Sequence, residues 1–197
     1  KGSTPVDYLK PIIADADMGH GGPTTVMKVA KLFAEKGAAG IHLEDQMVGG
    51  KRCGHLSGAV LVPTATHLMR LISTRFQWDI MGTENLVIAR TDSCNGKLLS
   101  SSSDPRDHEF IRGIIRDNVV PWSEKLIEME DKKIPNSAIA DMEKEWYHEN
   151  ELFTFEEALE KQFTASEFES YKEKKEDLMV NKLGRAYLSL REMKLLA

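Results

Sequence analysis

Ala39-Gly40-Ile41-His42-Leu43-Glu44-Asp45 decides how this chain is read. A short apolar run stops on two carboxylates, as a buried strand with a polar carboxyl end does. The pattern recurs upstream in Pro11-Ile12-Ile13-Ala14-Asp15. It recurs downstream in Asn85-Leu86-Val87-Ile88-Ala89, which runs into Arg90-Thr91-Asp92. Between the first two runs, Gly19-His20-Gly21-Gly22 reads as a turn and Pro23 suits a first helical position. Val26, Val29, Ala30 and Phe33 then fall at helical spacing, and Gly37 closes the helix. A second helix is predicted to start near Pro63, with Leu68, Leu71, Ile72 and Phe76 on its packed face. Three βα units in succession predict an α/β fold with a parallel sheet and helices packed on it.

In such sheets ligand chemistry gathers at the carboxyl ends of the strands. Those ends carry Asp15 and Asp17, Glu44 and Asp45, and Arg90 and Asp92. Any one acidic pair is explained as well by capping of the next helix; three charged strand ends in a row favour a shared site. Asp15, Asp17 and Glu44 offer hard oxygen ligands suited to Mg²⁺, which keeps several waters and needs few direct protein ligands. The loop after the second strand contributes Lys51-Arg52-Cys53-Gly54-His55. Positive neighbours favour the thiolate, so Cys53 is primed as a nucleophile, an acid–base group or a metal ligand. The paired Cys and His spacing of a zinc site is missing. Lys51, Arg52, His55 and Arg90 would surround a ligand with positive charge, which suits a small polycarboxylate, with a phosphate ester as the alternative. His20 reads as a loop residue, His42 as a core residue, and His67 carries no signal.

The whole chain narrows the choice. Its net charge of −5 argues against a nucleic-acid partner. No stretch approaches the ~20 apolar residues that cross a bilayer. Cys53 and Cys94 alone make no disulfide framework, which favours a reducing compartment such as cytosol or mitochondrial matrix. No cleavable signal pattern opens the chain, and the missing initiator methionine fits a processed protein or an excised piece. After Pro121 the sequence is charge-rich and helical. Thr154 to Glu157, Thr164 to Glu167 and Ser166 to Glu169 have capping-box spacing. Tyr171, Leu178, Leu183, Tyr187, Leu190 and Leu195 read as packing residues, and no catalytic constellation is visible there.

Three segments resemble the isocitrate lyase and 2-methylisocitrate lyase superfamily. They are Ala14-Asp15-Ala16-Asp17-Met18-Gly19-His20-Gly21-Gly22, Glu44-Asp45-Gln46 through Lys51-Arg52-Cys53-Gly54-His55, and Ala89-Arg90-Thr91-Asp92. Asp104-Pro105-Arg106-Asp107 with Phe110-Ile111 and Gly113 extends the match. The resemblance implies part of a (β/α)₈ barrel over residues 1–113 and a helical insertion over residues 114–197. It implies a Mg²⁺-dependent retro-aldol cleavage of a small tricarboxylate, releasing succinate and either pyruvate or glyoxylate. Asp15 then matches the direct metal ligand, with Asp17 and Glu44 in the supporting carboxylate shell. Cys53 matches the acid–base thiol, tuned by Lys51 and Arg52, while Gly54, His55 and Arg90 match substrate contacts.

Arg52, Met18 and Ser93-Cys94-Asn95-Gly96 depart from the usual isocitrate lyase pattern. They lean toward the fungal branch that cleaves 2-methylisocitrate in propionate metabolism, in the mitochondrial matrix. The alternatives are isocitrate cleavage in the glyoxylate cycle, in cytoplasm or glyoxysome, and a non-catalytic paralogue. A homotetramer is implied by resemblance. A barrel of this kind needs ~250 residues, so the chain is expected to be an internal fragment, inactive by itself.

Overall fold

The structure, a computed structural model, describes residues 10–50 and 58–197. The chain forms two compact units that divide between Asp104 and Pro105. The Asp104–Gly113 block, contiguous in the sequence pattern, straddles that division.

The first unit runs β1 (Ile13–Asp15), α1 (Pro23–Glu35), β2 (Gly40–Leu43), β3 (Ala59–Leu61), α2 (Thr64–Met81), β4 (Leu86–Ala89) and β5 (Gly96–Leu99). Strands β1, β2 and β4 form a parallel sheet in that order. All three match the strands anticipated from sequence. Gly40 permits the tight central pairing, because a Cβ there would lie 2.6 Å from the Leu86 carbonyl oxygen. Gly37, at φ +84°, lets the chain leave α1 in the left-handed conformation.

Strand alternation splits the sheet into two faces. Ala14, Ile41 and Val87 share one register row and pack, with Ala16 and Leu43, against Val26 and Ala30 of α1 and Trp78 of α2. Trp78 is buried and its indole N–H donates to the Ala30 carbonyl at 2.9 Å, which ties the two helices together. The next row, Asp15, His42 and Ile88, points to the opposite face. The polar strand-end residues therefore belong to the face that the helices do not cover.

Helix α2 packs on a different stripe from the one anticipated. Arg70, Ser73, Thr74 and Trp78 are its buried residues, with Leu71 beside them. Leu68, Ile72 and Phe76 are exposed. Apolar spacing pointed to the wrong face because the buried one carries an arginine and two hydroxyl residues, and the backbone carbonyls that Arg70 bonds are not visible in a hydrophobic pattern. Asp104, also buried, accepts from the Ala65 N–H at 2.7 Å and so caps the first turn of α2. The third unit also differs from expectation. After β4 the chain makes a 3₁₀ turn, Ser93–Asn95, and then β5, which pairs in parallel with β3. Both added strands are short and have little alternation to mark them.

The second unit is helical: α3 (Trp122–Asp131), α4 (Asn136–Glu149), α5 (Phe155–Gln162), α6 (Ala165–Glu176), a π-helical segment (Asp177–Leu183) and α7 (Leu190–Leu196). Trp122, Met129 and Trp146 form one core, in which the two tryptophan rings stand 6.1 Å apart. Tyr171 is buried as anticipated, whereas Leu183 and Leu195 are exposed. Capping boxes close the starts of α5 at Thr154–Glu157 and α6 at Thr164–Glu167. The third box is Ser189–Glu192 at α7; Ser166 instead lies inside α6. No helix among the described residues is long and apolar enough to cross a membrane.

Candidate functional site

The sheet brings three strand ends together. Backbone pairing continues past the strands: the Ala16 N–H donates to the His42 carbonyl, Glu44 N–H to Asp17, and Arg90 N–H to Leu43. Asp15, Glu44 and Arg90 thus end up side by side although they are far apart in sequence. The Arg90 guanidinium is the hub. Its Nη1 lies 3.6 Å from Asp15 Oδ2, and its Nη2 lies 3.3 Å from both Glu44 Oε2 and Asp92 Oδ1.

A second layer of bonds fixes the β2 end to the β4 end. Asp45 accepts from the Thr91 hydroxyl at 2.6 Å and from the Asp92 N–H at 2.9 Å. Gln46, wholly buried, donates its side-chain N–H to Asp92 Oδ2 at 2.8 Å. Arg70, buried at 4% exposure, donates from Nη1 to the carbonyls of Glu44 and Gln46, both at 2.9 Å. Around the rim, Asp15 Oδ1 accepts from the Asp17 N–H at 2.8 Å and faces His42 Nδ1 at 3.7 Å. The Asp17 carboxylate lies 3.5 Å from His20, and both residues have positive φ.

Electrostatics follow from burial and crowding. The Glu44 carboxyl has no exposed surface and is pushed up to about 7. Burial is the main cause; the hydrogen bond it shares with Asp92 and the charges of Asp92 and Asp15 add to it, while Arg90 opposes. Burial also pushes Asp92 upward, but Gln46, Arg90 and the Glu44 hydrogen bond outweigh it and hold Asp92 below the ordinary carboxylate range. The two neighbouring carboxyls are thus pushed in opposite directions, Glu44 up and Asp92 down.

This has a testable consequence for the metal-free protein. A carboxyl raised from 4.5 to about 7 contributes stability that is complete below 4.5 and lost as pH rises through 7. The loss amounts to about 3 kcal/mol. Urea unfolding of Glu44→Gln from pH 4 to 8 should show a flatter stability profile than the parent. Parallel profiles would contradict the assignment.

Among the sequence-derived candidates, Asp15, Glu44 and Arg90 are brought together, and Asp17 stands beside them with its carboxylate turned to His20. Lys51, Arg52, Cys53, Gly54 and His55 lie outside the described residues. Of the described residues before and after them, the Met47 N–H donates to the Val60 carbonyl at 2.8 Å. No three His, Cys, Asp or Glu side chains among the described residues form a ready metal cage. The donor set nevertheless fits a hard divalent cation. All candidate ligands are carboxylate oxygens, and among the described residues three carboxyls converge on the Arg90 guanidinium, a donor set of the hard kind that such a cation takes.

Sequence reading overlooked Gln46 and Arg70 as members of the site and placed Asp92 only as a charged strand end. Arg70 did leave a signal: it falls on the same i, i+4 stripe as Thr74 and Trp78, an odd place for a cation unless it has buried work.

Several curated proteins are similar to this chain in sequence. A mitochondrial 2-methylisocitrate lyase of Hypocrea atroviridis is 58% identical over 152 residues, covering 77% of this chain and 27% of that protein. An isocitrate lyase of Saccharomyces cerevisiae is 45% identical over 155 residues, covering 79% of this chain and 28% of that protein. A mitochondrial 2-methylisocitrate lyase of Schizosaccharomyces pombe is 38% identical over 166 residues, covering 84% and 31%. The chain thus spans less than a third of the length of these relatives. The family model described as the isocitrate lyase family matches residues 1–197, the whole sequence. On that match, and with the strand-end carboxylates and arginine in place, the chain belongs to the isocitrate lyase family.

Proposed function

We propose that this chain forms part of a Mg²⁺-dependent carbon–carbon lyase that cleaves 2-methylisocitrate into pyruvate and succinate. The observation that carries the reading is the convergence of Asp15, Glu44 and Arg90 at the carboxyl ends of three adjacent parallel strands. Asp15, half exposed at the rim, is the direct ligand for the metal, with Asp17 and Glu44 behind it. When bound, Mg²⁺ polarises the substrate's hydroxyl and carboxylate oxygens. Arg90, with Gly54 and His55 from the loop, clamps a substrate carboxylate. A general base takes the substrate's hydroxyl proton as that oxygen becomes the product carbonyl and the carbon–carbon bond breaks, and Cys53, its thiol tuned by Lys51 and Arg52, delivers a proton to the succinate carbanion that keeps the bond's electron pair.

The three-stranded sheet is read as a segment of a (β/α)₈ barrel, with its uncovered polar face turned inward and the helical unit as an insertion. Exposed Ile13, Leu86 and Ile88 on that face support this, since parallel sheets are covered on both sides. The whole enzyme is then a homotetramer of the mitochondrial matrix, a location supported by two relatives named mitochondrial. The identity to a yeast isocitrate lyase favours a second reading, cleavage of isocitrate to glyoxylate and succinate.

Succinate is common to both reactions, so its release tests the reaction class. The whole enzyme should release succinate from one of the two substrates with Mg²⁺, lose this on chelation, and regain it when Mg²⁺ is restored. Turnover that survives chelation would overturn the metal assignment.

A further inference from the structure

We infer that Arg70 is a positioning residue for this site, acting through the backbone of the β2 end without touching substrate. The inference rests on the lyase reading for its kinetic arm only.

A guanidinium taken out of water is costly unless its donors are used. Arg70 is 4% exposed, and it spends one nitrogen on two carbonyls, those of Glu44 and Gln46. It forms no ion pair with a carboxylate among the described residues; Asp45 and Glu44 act on it through space. An arginine buried in this way on neutral acceptors holds shape. The shape it holds is the three-residue stretch Glu44-Asp45-Gln46. Every side chain of that stretch crosses to the β4 end: Glu44 to Arg90, Asp45 to Thr91 and the Asp92 amide, and Gln46 to Asp92.

Two carbonyls separated by one residue converge on a single point only if the intervening peptides are turned to suit. The Arg70 nitrogen selects that arrangement, and the strand's alternation alone does not require it. Helix α2, through Trp78 bound to α1, supplies the rigid base from which Arg70 reaches. Removing the guanidinium frees the Glu44–Gln46 peptides to rotate, so that Glu44 and Asp92 lose their fixed placement about Arg90. The core below, built on Ile41, Leu43 and Trp78, does not depend on it.

The test compares Arg70→Met and Arg70→Lys in the whole enzyme. Arg70→Met should lower kcat about ten- to hundredfold, with KM changed less than about threefold, the pattern of lost transition-state placement. Arg70→Lys should recover most of the loss, because both bonds come from one nitrogen and an ammonium has three donors. Amide hydrogen exchange supplies a readout independent of turnover. The Glu44, Met47 and Asp92 amides should exchange faster in Arg70→Met, while the Ala39 amide at the far end of the sheet keeps its parent rate. Unchanged exchange at those three amides, or a kcat within twofold of the parent, would overturn the inference. So would a loss that lysine does not restore. Should Arg70→Met fail to fold, Arg70→Lys decides alone, with near-parent kcat supporting the role and a tenfold loss opposing it. A parent enzyme releasing no succinate would sink the lyase reading, and the exchange arm would still judge Arg70.

Discussion

Arg90→Met should lower kcat/KM of the whole enzyme by at least ~10²-fold. Arg90 has a proposed role as substrate clamp and an observed place at the centre of the strand-end carboxyls. Its two terminal nitrogens reach Asp15 on one side and Glu44 and Asp92 on the other. On the proposed role of Arg90 as a clamp for a substrate carboxylate, its loss is expected to remove about 3 kcal/mol of transition-state stabilisation, the size of one lost preorganised donor. A loss of about 3 kcal/mol in transition-state stabilisation corresponds to ~10² in rate. Methionine keeps the stem's packing, so folding should survive. Arg90→Lys keeps the charge but cannot serve both sides with one ammonium, and should regain less than about tenfold. Steady-state kinetics beside thermal unfolding checks this; an Arg90→Met enzyme within threefold of the parent would remove Arg90 from the site.

Cys53→Ser should lower turnover by about 10²–10⁴-fold with no loss of stability. A serine hydroxyl is much the weaker acid, so the carbanion would wait for a proton from solvent. Alkylation offers a second measurement: a thiol flanked by Lys51 and Arg52 should react with iodoacetamide well below the usual thiol pKa of ~8.5. Substrate should protect it. Cys94 is exposed and would react too, so the experiment belongs in a Cys94→Ser background. Near-parent turnover by Cys53→Ser would end the acid–base role.

Much of this organisation was legible in the residues themselves. Three apolar runs ending in Asp15, Glu44 and Arg90 announced parallel strands and placed their polar ends on one edge, because alternation and chain direction are local properties. The stripe on α2 was misread for a physical reason. Its buried face is chosen by hydrogen bonds, Arg70 to two carbonyls and Trp78 to Ala30, and bonds to backbone leave no trace in hydropathy. Asp92 was visible as a charged strand end, but its tie to Gln46 is a contact between residues 46 positions apart. The Ser189–Glu192 box was as plain as the two boxes before it. Ser166 had the same spacing and failed because Thr164 already starts that helix two residues earlier.

Substrate choice is the central claim that these residues leave to experiment. The whole enzyme should be supplied separately with 2-methylisocitrate and with isocitrate, at equal concentration and with Mg²⁺, and the keto or aldehydo acid product measured. Pyruvate from 2-methylisocitrate, at a kcat/KM well above that for glyoxylate from isocitrate, is the predicted result. Glyoxylate as the dominant product would move the enzyme to isocitrate cleavage, and formation of neither acid from either substrate would contradict the assignment of a lyase.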